Sequence, residues 1–252
     1  PMIAPPAAKR MQACRKDTLI PNICLSGTVN LPRTGQTLCY NSAGAQIGCT
    51  GTGQDGEIQA GFPWPSLRFI PHKDGTVTDT LTGLIWLRKG DCYWGHWYPT
   101  PTQNIIGAIV FANNLQDGVC DLKDGSLPGD WRMPNIVELE TLVNLAVPTV
   151  SNYWLSGWLN DQGFISMQPD LYWSSTSTAP QSTTNSAFGV VMTEDQLIGE
   201  AKWYSHRALA VKGSSQLPVQ TWKTGQTYSV YTGDCYVSQY LSPRVPDYRK
   251  TT

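Results

Sequence analysis

GDWRMPNIVELETLV, residues 129–143, carries the clearest local signal in the chain. Asn135 sits where a helix N-cap belongs, directly after Pro134, and Glu138 stands three residues on. In that arrangement the Asn side chain accepts from the Glu138 N–H while the Glu138 carboxylate accepts from the Asn135 N–H, satisfying two orphan donors of the first turn. A helix over IVELETLVN is therefore predicted, with Leu139, Leu142 and Val143 turned to the core.

Upstream, IIGAIVFANNLQDG (105–118) places Ile105, Ile109, Ala112 and Leu115 on one helical face, with Ala108 and Phe111 flanking it and Gly118 as the stop. Before it, RFIPHKDGTVTDTLTGLIWLR (68–88) has a turn at Lys73-Asp74-Gly75 and alternation from Val77. Leu84, Ile85 and Trp86 read as buried there. TGTGQDGEIQAG (50–61) is a glycine-rich turn region. LCYNSAGAQIGC (38–49) reads as a hairpin around Ser42-Ala43-Gly44. Downstream of Pro148, the chain returns to short strand-like runs, notably LYWSSTST (171–178), SAFGVVM (186–192) and HRALAV (206–211). The sum is an α+β domain over residues 31–213: two helices on mostly antiparallel strands. Residues 1–30 and 214–252 flank it as N- and C-terminal arms.

Composition narrows the partners. Charged residues are 15% of the chain, against about 25% usually, and the formal net charge is -1. Basic residues come as short pairs such as Arg88-Lys89. No global field draws in nucleic acid or an anionic membrane, and neither is expected as a partner. No stretch is apolar and long enough to enter a bilayer. The 10 Trp and 11 Tyr suit a rigid β-rich core, with a sugar-stacking surface as the rarer use.

The 7 cysteines contain no CxxC, and the three histidines (His72, His96, His206) are scattered. Zinc sites need tighter spacing, so disulfides and an oxidising compartment are expected. Pairing of sequence neighbours gives Cys14–Cys24, Cys39–Cys49 and Cys92–Cys120, and leaves Cys235 over. No signal peptide is visible, so the expectation is a secreted or surface protein whose leader has been removed.

One motif recurs. RTGQTLCY (33–40) returns as KTGQTYSVY (223–231), each time with a basic residue before Thr-Gly-Gln-Thr and a strand-like run after it. The second copy lies in the C-terminal arm. This places Thr224, Gly225, Gln226, Thr227, Tyr228 and Val230, with Cys235 and Val237 beyond them, as candidates for self-association: a strand added to another copy of the chain, with Cys235 able to lock the junction.

The ordered set DGTVTDTLTGLIWLR, Cys92, Cys120, GDWRMPNIVELETLV, LYWSSTS and HRALAVKG resembles the Lcl C-terminal domain family, a bacterial extracellular domain named for a collagen-like adhesin. The segment at 34–69 is similar to the leader many members carry. The resemblance covers about residues 31–213. It implies a fold related to C-type lectins and formylglycine-generating enzymes, and extracellular work in adhesion, glycan binding or surface assemblies.

An oxidase of the formylglycine-generating kind needs a pair of late cysteines, and only Cys235 is late here. GxSxG and HExxH are absent, and Ser174-Ser175 reads as part of a buried strand. No enzymatic activity is expected. Gln168-Pro169-Asp170 matches the tripeptide with which galactose-type lectins help hold calcium and sugar, making Gln168 and Asp170 the weak glycan and calcium candidates. The preferred reading is a loop leading into the strand, with no resident cofactor. Asp121, Asp124 and Asp130 read as turn residues. Glycosaminoglycan binding would require lysines and arginines on one face, and no cluster of them is visible in the sequence. The function expected is a self-assembling structural subunit of an extracellular fibre or matrix, with a glycan-binding adhesin module as the alternative.

Overall fold

A computed structural model describes residues 31–100, 106–147, 154–178, 185–193, 196–213 and 219. The elements run β1 (Cys39–Tyr40), β2 (Gln46–Ile47), α1 (Asp55–Ile58), β3 (Phe69–Pro71), β4 (Thr76–Asp79), β5 (Ile85–Leu87), β6 (Trp94–Gly95) and α2 (Ala108–Asn113). They continue through α3 (Ile136–Glu140), α4 (Leu155–Asp161), β7 (Leu171–Ser177), β8 (Ser186–Val191), β9 (Gln196–Ala201), β10 (His206–Ala208) and β11 (Val211–Lys212). The architecture is mixed α+β. One sheet has the order β6-β10-β7-β8-β9, a second β11-β5-β4-β3, and β1-β2 is a separate hairpin. Every named strand pair is antiparallel except β7–β10. The run 206–211 splits between the two larger sheets, so Leu209 and Ala210, both buried, form the corner joining them.

α3 begins as the capping box requires. Asn135 accepts from the Glu138 N–H at 2.9 Å, and the Glu138 carboxylate accepts from the Asn135 N–H at 2.9 Å. Leu139 and Leu142 are fully buried and Val143 packs against the core. The Glu138 carboxylate also takes both ends of the Arg132 guanidinium, at 2.6 and 2.7 Å, so one buried acid fixes the helix start and the strand-like lead-in together.

Four short helices are described where two were expected. α1 lies inside the glycine-rich run read as turns. α4 lies in LSGWLND, where Gly157 weakens the intrinsic signal; the packing of Leu155 and Leu159, both buried, supplies what propensity does not. α2 is shorter than the 105–118 pattern. Gly107, at φ 80°, turns the chain into the helix, and burial extends well round it: Ala108, Val110, Phe111, Ala112, Asn113 and Leu115 are all buried, while Ile109, expected on the core face, is only half-buried. Ile105 lies outside the described residues. The helix ends at Asn113, and Gly118 serves a later turn at φ 83°.

Trp86, Trp131, Tyr172 and Trp173 fill the centre. Each aromatic of this size contributes roughly 4–6 kcal/mol of apolar burial. Three of the four place their polar atom on a partner: the Trp131 indole donates to Ser126 Oγ, Trp173 to the Gly95 carbonyl, and the Tyr172 hydroxyl to the Gly90 carbonyl, while the Trp86 indole nitrogen is buried with no hydrogen-bond partner among the described residues. Ile85, expected inside with Leu84 and Trp86, is only half-buried, while Trp86 and Leu87 after it in β5 are fully buried. Ser174 is a buried strand serine whose hydroxyl donates to the Phe188 carbonyl at 2.8 Å.

Two disulfides are formed among the described residues. Cys39–Cys49 closes the β1–β2 hairpin and Cys92–Cys120 ties the β6 lead-in to the loop after α2. Cys14, Cys24, Cys235 and the assembly candidates from Thr224 to Val237 lie outside the described residues.

Candidate functional site

The cleft described beside the Cys92–Cys120 bridge has a volume of about 230 Å³ and is lined by Lys73, Gly75, Arg88, Lys89, Cys120, Asp121, Lys123 and Ile165. Four segments build it, and backbone hydrogen bonds lock them together. The Arg88 N–H donates to Gly75 O at 2.9 Å, Lys123 N–H to Asp74 O at 2.8 Å, and Ile165 N–H to Arg88 O at 2.8 Å. Gly75 is required twice over: its φ is 85°, and a Cβ there would stand 2.6 Å from the Asp121 carbonyl oxygen. Opposite it, Cys120 and Asp121 hold left-handed backbone at φ 53° and 65°.

The rim carries four cations and one carboxylate. Arg88 is committed to the wall, donating to the Gly163 and His72 carbonyls. Lys89 pairs with Asp121 at 3.0 Å, and this carboxylate, with Asp91 behind it, pushes the ammonium above its ordinary range. Lys73 and Lys123 are exposed and line the cleft. Such a rim attracts an anion by placing ammonium groups and a guanidinium around an open concavity. The basic residues are spread over fifty positions of sequence. Only the Arg88-Lys89 pair was visible beforehand; the turn at 73–75 and the disulfide loop bring the other two to it.

The Gln168-Pro169-Asp170 loop is engaged internally. The Gln168 N–H donates to the Tyr172 hydroxyl at 2.9 Å, and its side-chain amide to the Ser166 carbonyl. Asp170 accepts from the Leu171 N–H at 2.7 Å, faces His206 Nδ1 at 3.1 Å, and has Arg207 Nε 3.7 Å away. The structure thus turns this carboxylate toward the start of β10. Asn160, which precedes the loop in sequence, ties α4 to it through both Met167 backbone groups. Among the described residues, no group of three or more His, Cys, Asp or Glu is placed to hold a metal ion. Asp124 is a turn residue bonded to Ser126 and to Lys212 Nζ at 2.6 Å, Asp130 accepts from the Leu127 N–H, and Asp121 belongs to the cleft.

The first TGQT copy occupies a cradle. The Trp64 indole donates to the Arg33 carbonyl at 2.8 Å, the Leu145 N–H to the Thr34 carbonyl at 3.0 Å, and Thr34 Oγ1 to Asp55. Asn144 and Trp64 press on Gly35 so closely that no side chain fits there. Two residues after Thr37 the chain enters β1, whose first residue, Cys39, is stapled to Cys49.

No helix among the described residues is long and apolar enough to cross a membrane. The family model for the Lcl C-terminal domain matches residues 75–212, more than half of the chain, and takes in every lining residue of the cleft except Lys73. No curated protein matches the chain.

Proposed function

Because the chain belongs to the Lcl C-terminal domain family, a family of extracellular-type domains, we propose that it is a non-catalytic structural subunit, lectin-like in fold, that joins further copies of itself outside the cell through its C-terminal arm, residues 214–252. The observation that carries this reading is what the TGQT motif does where it is seen. It docks the chain in a cradle and delivers a strand, β1, that is closed by a hairpin partner and a disulfide. The second copy keeps the motif but has Ser229 where the first has Cys39. A strand delivered there lacks the staple and needs an edge from elsewhere. Val219, buried with its N–H on the Leu81 carbonyl at 3.0 Å, fixes the point beside the β4–β5 turn from which that segment sets out. Deleting residues 220–252 tests it by sedimentation velocity and electron microscopy under oxidising conditions. Full-length chain forms higher-order particles and the shortened chain does not; particles that survive the deletion refute the arm as connector.

A second reading is favoured by the cleft. Lys73, Arg88, Lys89 and Lys123 around one concavity support binding of a sulfated or carboxylated glycan, as in a glycosaminoglycan-binding adhesin module. Lys73→Ala with Lys123→Ala lowers the salt concentration at which the protein leaves a heparin column, because the lost contacts are between exposed charges that salt screens. Unchanged elution removes the cleft from consideration.

A further inference from the structure

The self-assembly proposed above leaves open where an incoming strand would go, and the described residues offer one suitable edge. β6 and β11 are two residues long, and β11 is also capped by the Arg132–Val211 backbone pair. β3 has three residues and ends in Pro71. β9 closes the five-stranded sheet with six residues in unbroken register against β8. Its sequence, QLIGEA, has one charge, no proline and no lysine, so it lacks the devices that normally blunt an edge.

Which backbone groups face outward follows from one bond. Lys202 N–H donates to Asn185 O at 2.9 Å, so residue 202 points its amide at β8. Antiparallel strands alternate, so Glu200, Ile198 and Gln196 do the same, while Ala201, Gly199 and Leu197 turn theirs away. Ala201 fits this phase: its N–H is taken by the Glu200 carboxylate at 2.9 Å and its carbonyl by the Tyr204 N–H. The end of the edge is thereby closed. Leu197 and Gly199, both exposed, remain as the residues whose N–H and C=O groups face outward.

We propose that the outer edge of β9, at Leu197 and Gly199, is the acceptor for the strand Tyr228–Tyr231 of a second copy of this chain. The occupant is argued from its sequence. Tyr228-Ser229-Val230-Tyr231 is uncharged and β-forming, follows a TGQT motif whose other copy leads into a strand, and is long enough to meet two outward-facing residues. Pairing supplies up to four backbone hydrogen bonds and covers Leu197, which is 40% exposed. The inference rests on self-assembly through the arm but adds the site.

Two measurements on the full chain test it. Leu197→Pro removes an outward N–H without touching the β8 ladder, a substitution that edge strands tolerate. The variant is expected to keep the wild-type circular dichroism and lose the assembled species in sedimentation velocity. Hydrogen exchange of the unaltered chain, at concentrations below and above assembly, is expected to slow at the Leu197 and Gly199 amides by tenfold or more on assembly. Wild type that assembles without that slowing, or Leu197→Pro that assembles as wild type does, overturns β9 as acceptor while self-assembly stands. Wild type that is monomeric at every concentration instead overturns the self-assembly on which this site depends.

Discussion

Replacing Cys92 and Cys120 together with alanine opens a loop that the bridge closes across a separation of 28 residues. The chain-entropy relation makes such a link worth about 3.6 kcal/mol at 25 °C, compared with about 2.7 for the shorter Cys39–Cys49 loop. Two features reduce the loss. Cys120 and Asp121 are held in the left-handed region, and a freed loop recovers about 1 kcal/mol for each non-glycine residue that leaves it. The net expectation is a loss of about 2 kcal/mol. Equilibrium urea unfolding under oxidising conditions, followed by tryptophan fluorescence, reads it directly. The midpoint falls, and the slope m rises because the unfolded chain is no longer cross-linked there. Thermal midpoints drop by roughly 4–8 °C for a domain of this size. The same variant elutes earlier from heparin, because Cys120 carries Asp121 and Lys123 at the cleft rim. A stability within about 0.5 kcal/mol of wild type, with m unchanged, refutes the reasoning. It would show that the Lys123–Asp74 backbone bond and the Lys89–Asp121 pair hold the loop without help from the sulfurs.

Glu138→Ala removes the capping box, takes the carboxylate from the Arg132 guanidinium and leaves the Asn135 N–H unpaired, so a loss of about 3 kcal/mol is expected in the same urea assay; Glu138→Gln, which can still accept from Asn135, loses less. Lys202 is fully buried, bonded to Ser177 Oγ at 2.8 Å and stacked over the Trp97 ring. Burial pushes its pKa down to about 8 from 10.5. Between those values the unfolded chain binds more protons at this site, so its contribution to stability rises with pH from about 8 to 10.5 and is flat below. Lys202→Met lacks that rise, and unfolding curves of the two proteins at pH 7, 9 and 10 that run parallel would exclude the assignment. The Lys73 and Lys123 substitutions and Leu197→Pro, set out above, complete the set.

How much was legible beforehand depended on the range of the interaction. The capping box at Asn135 and Glu138, the Cys39–Cys49 hairpin, the turn at Lys73-Asp74-Gly75 and the buried Ser174 are settled by residues within about ten positions of one another. Backbone hydrogen bonding, chain stiffness and side-chain pattern act at that distance. The ordered run from Gly75 to Lys212 likewise identified the family. α4 is hidden because Gly157 masks a helix whose Leu155, Trp158 and Leu159 do follow helical spacing, and what makes it form is the burial of the two leucines and the packing of Trp158 on Trp64 and Phe69. In α2, Ala112 and Leu115 of the expected face are buried, but packing also covers Val110 and Asn113 on other sides of the helix and leaves Ile109 half-buried, which a single-stripe pattern does not convey.

Sequence alone pointed to the α+β class, the family and the repeated TGQT motif, and neighbour pairing matched the two bridges seen at Cys39–Cys49 and Cys92–Cys120. Tertiary structure decided the rest. It joined Lys73, Arg88, Lys89 and Lys123 into one cleft, turned Asp170 toward His206 and Arg207, and made β9 the long terminal strand of its sheet among the described residues. Each of these depends on contacts between segments far apart in the chain. Their geometry is set by how the sheets pack and by which strand happens to finish one, and neither is encoded in any single window of residues.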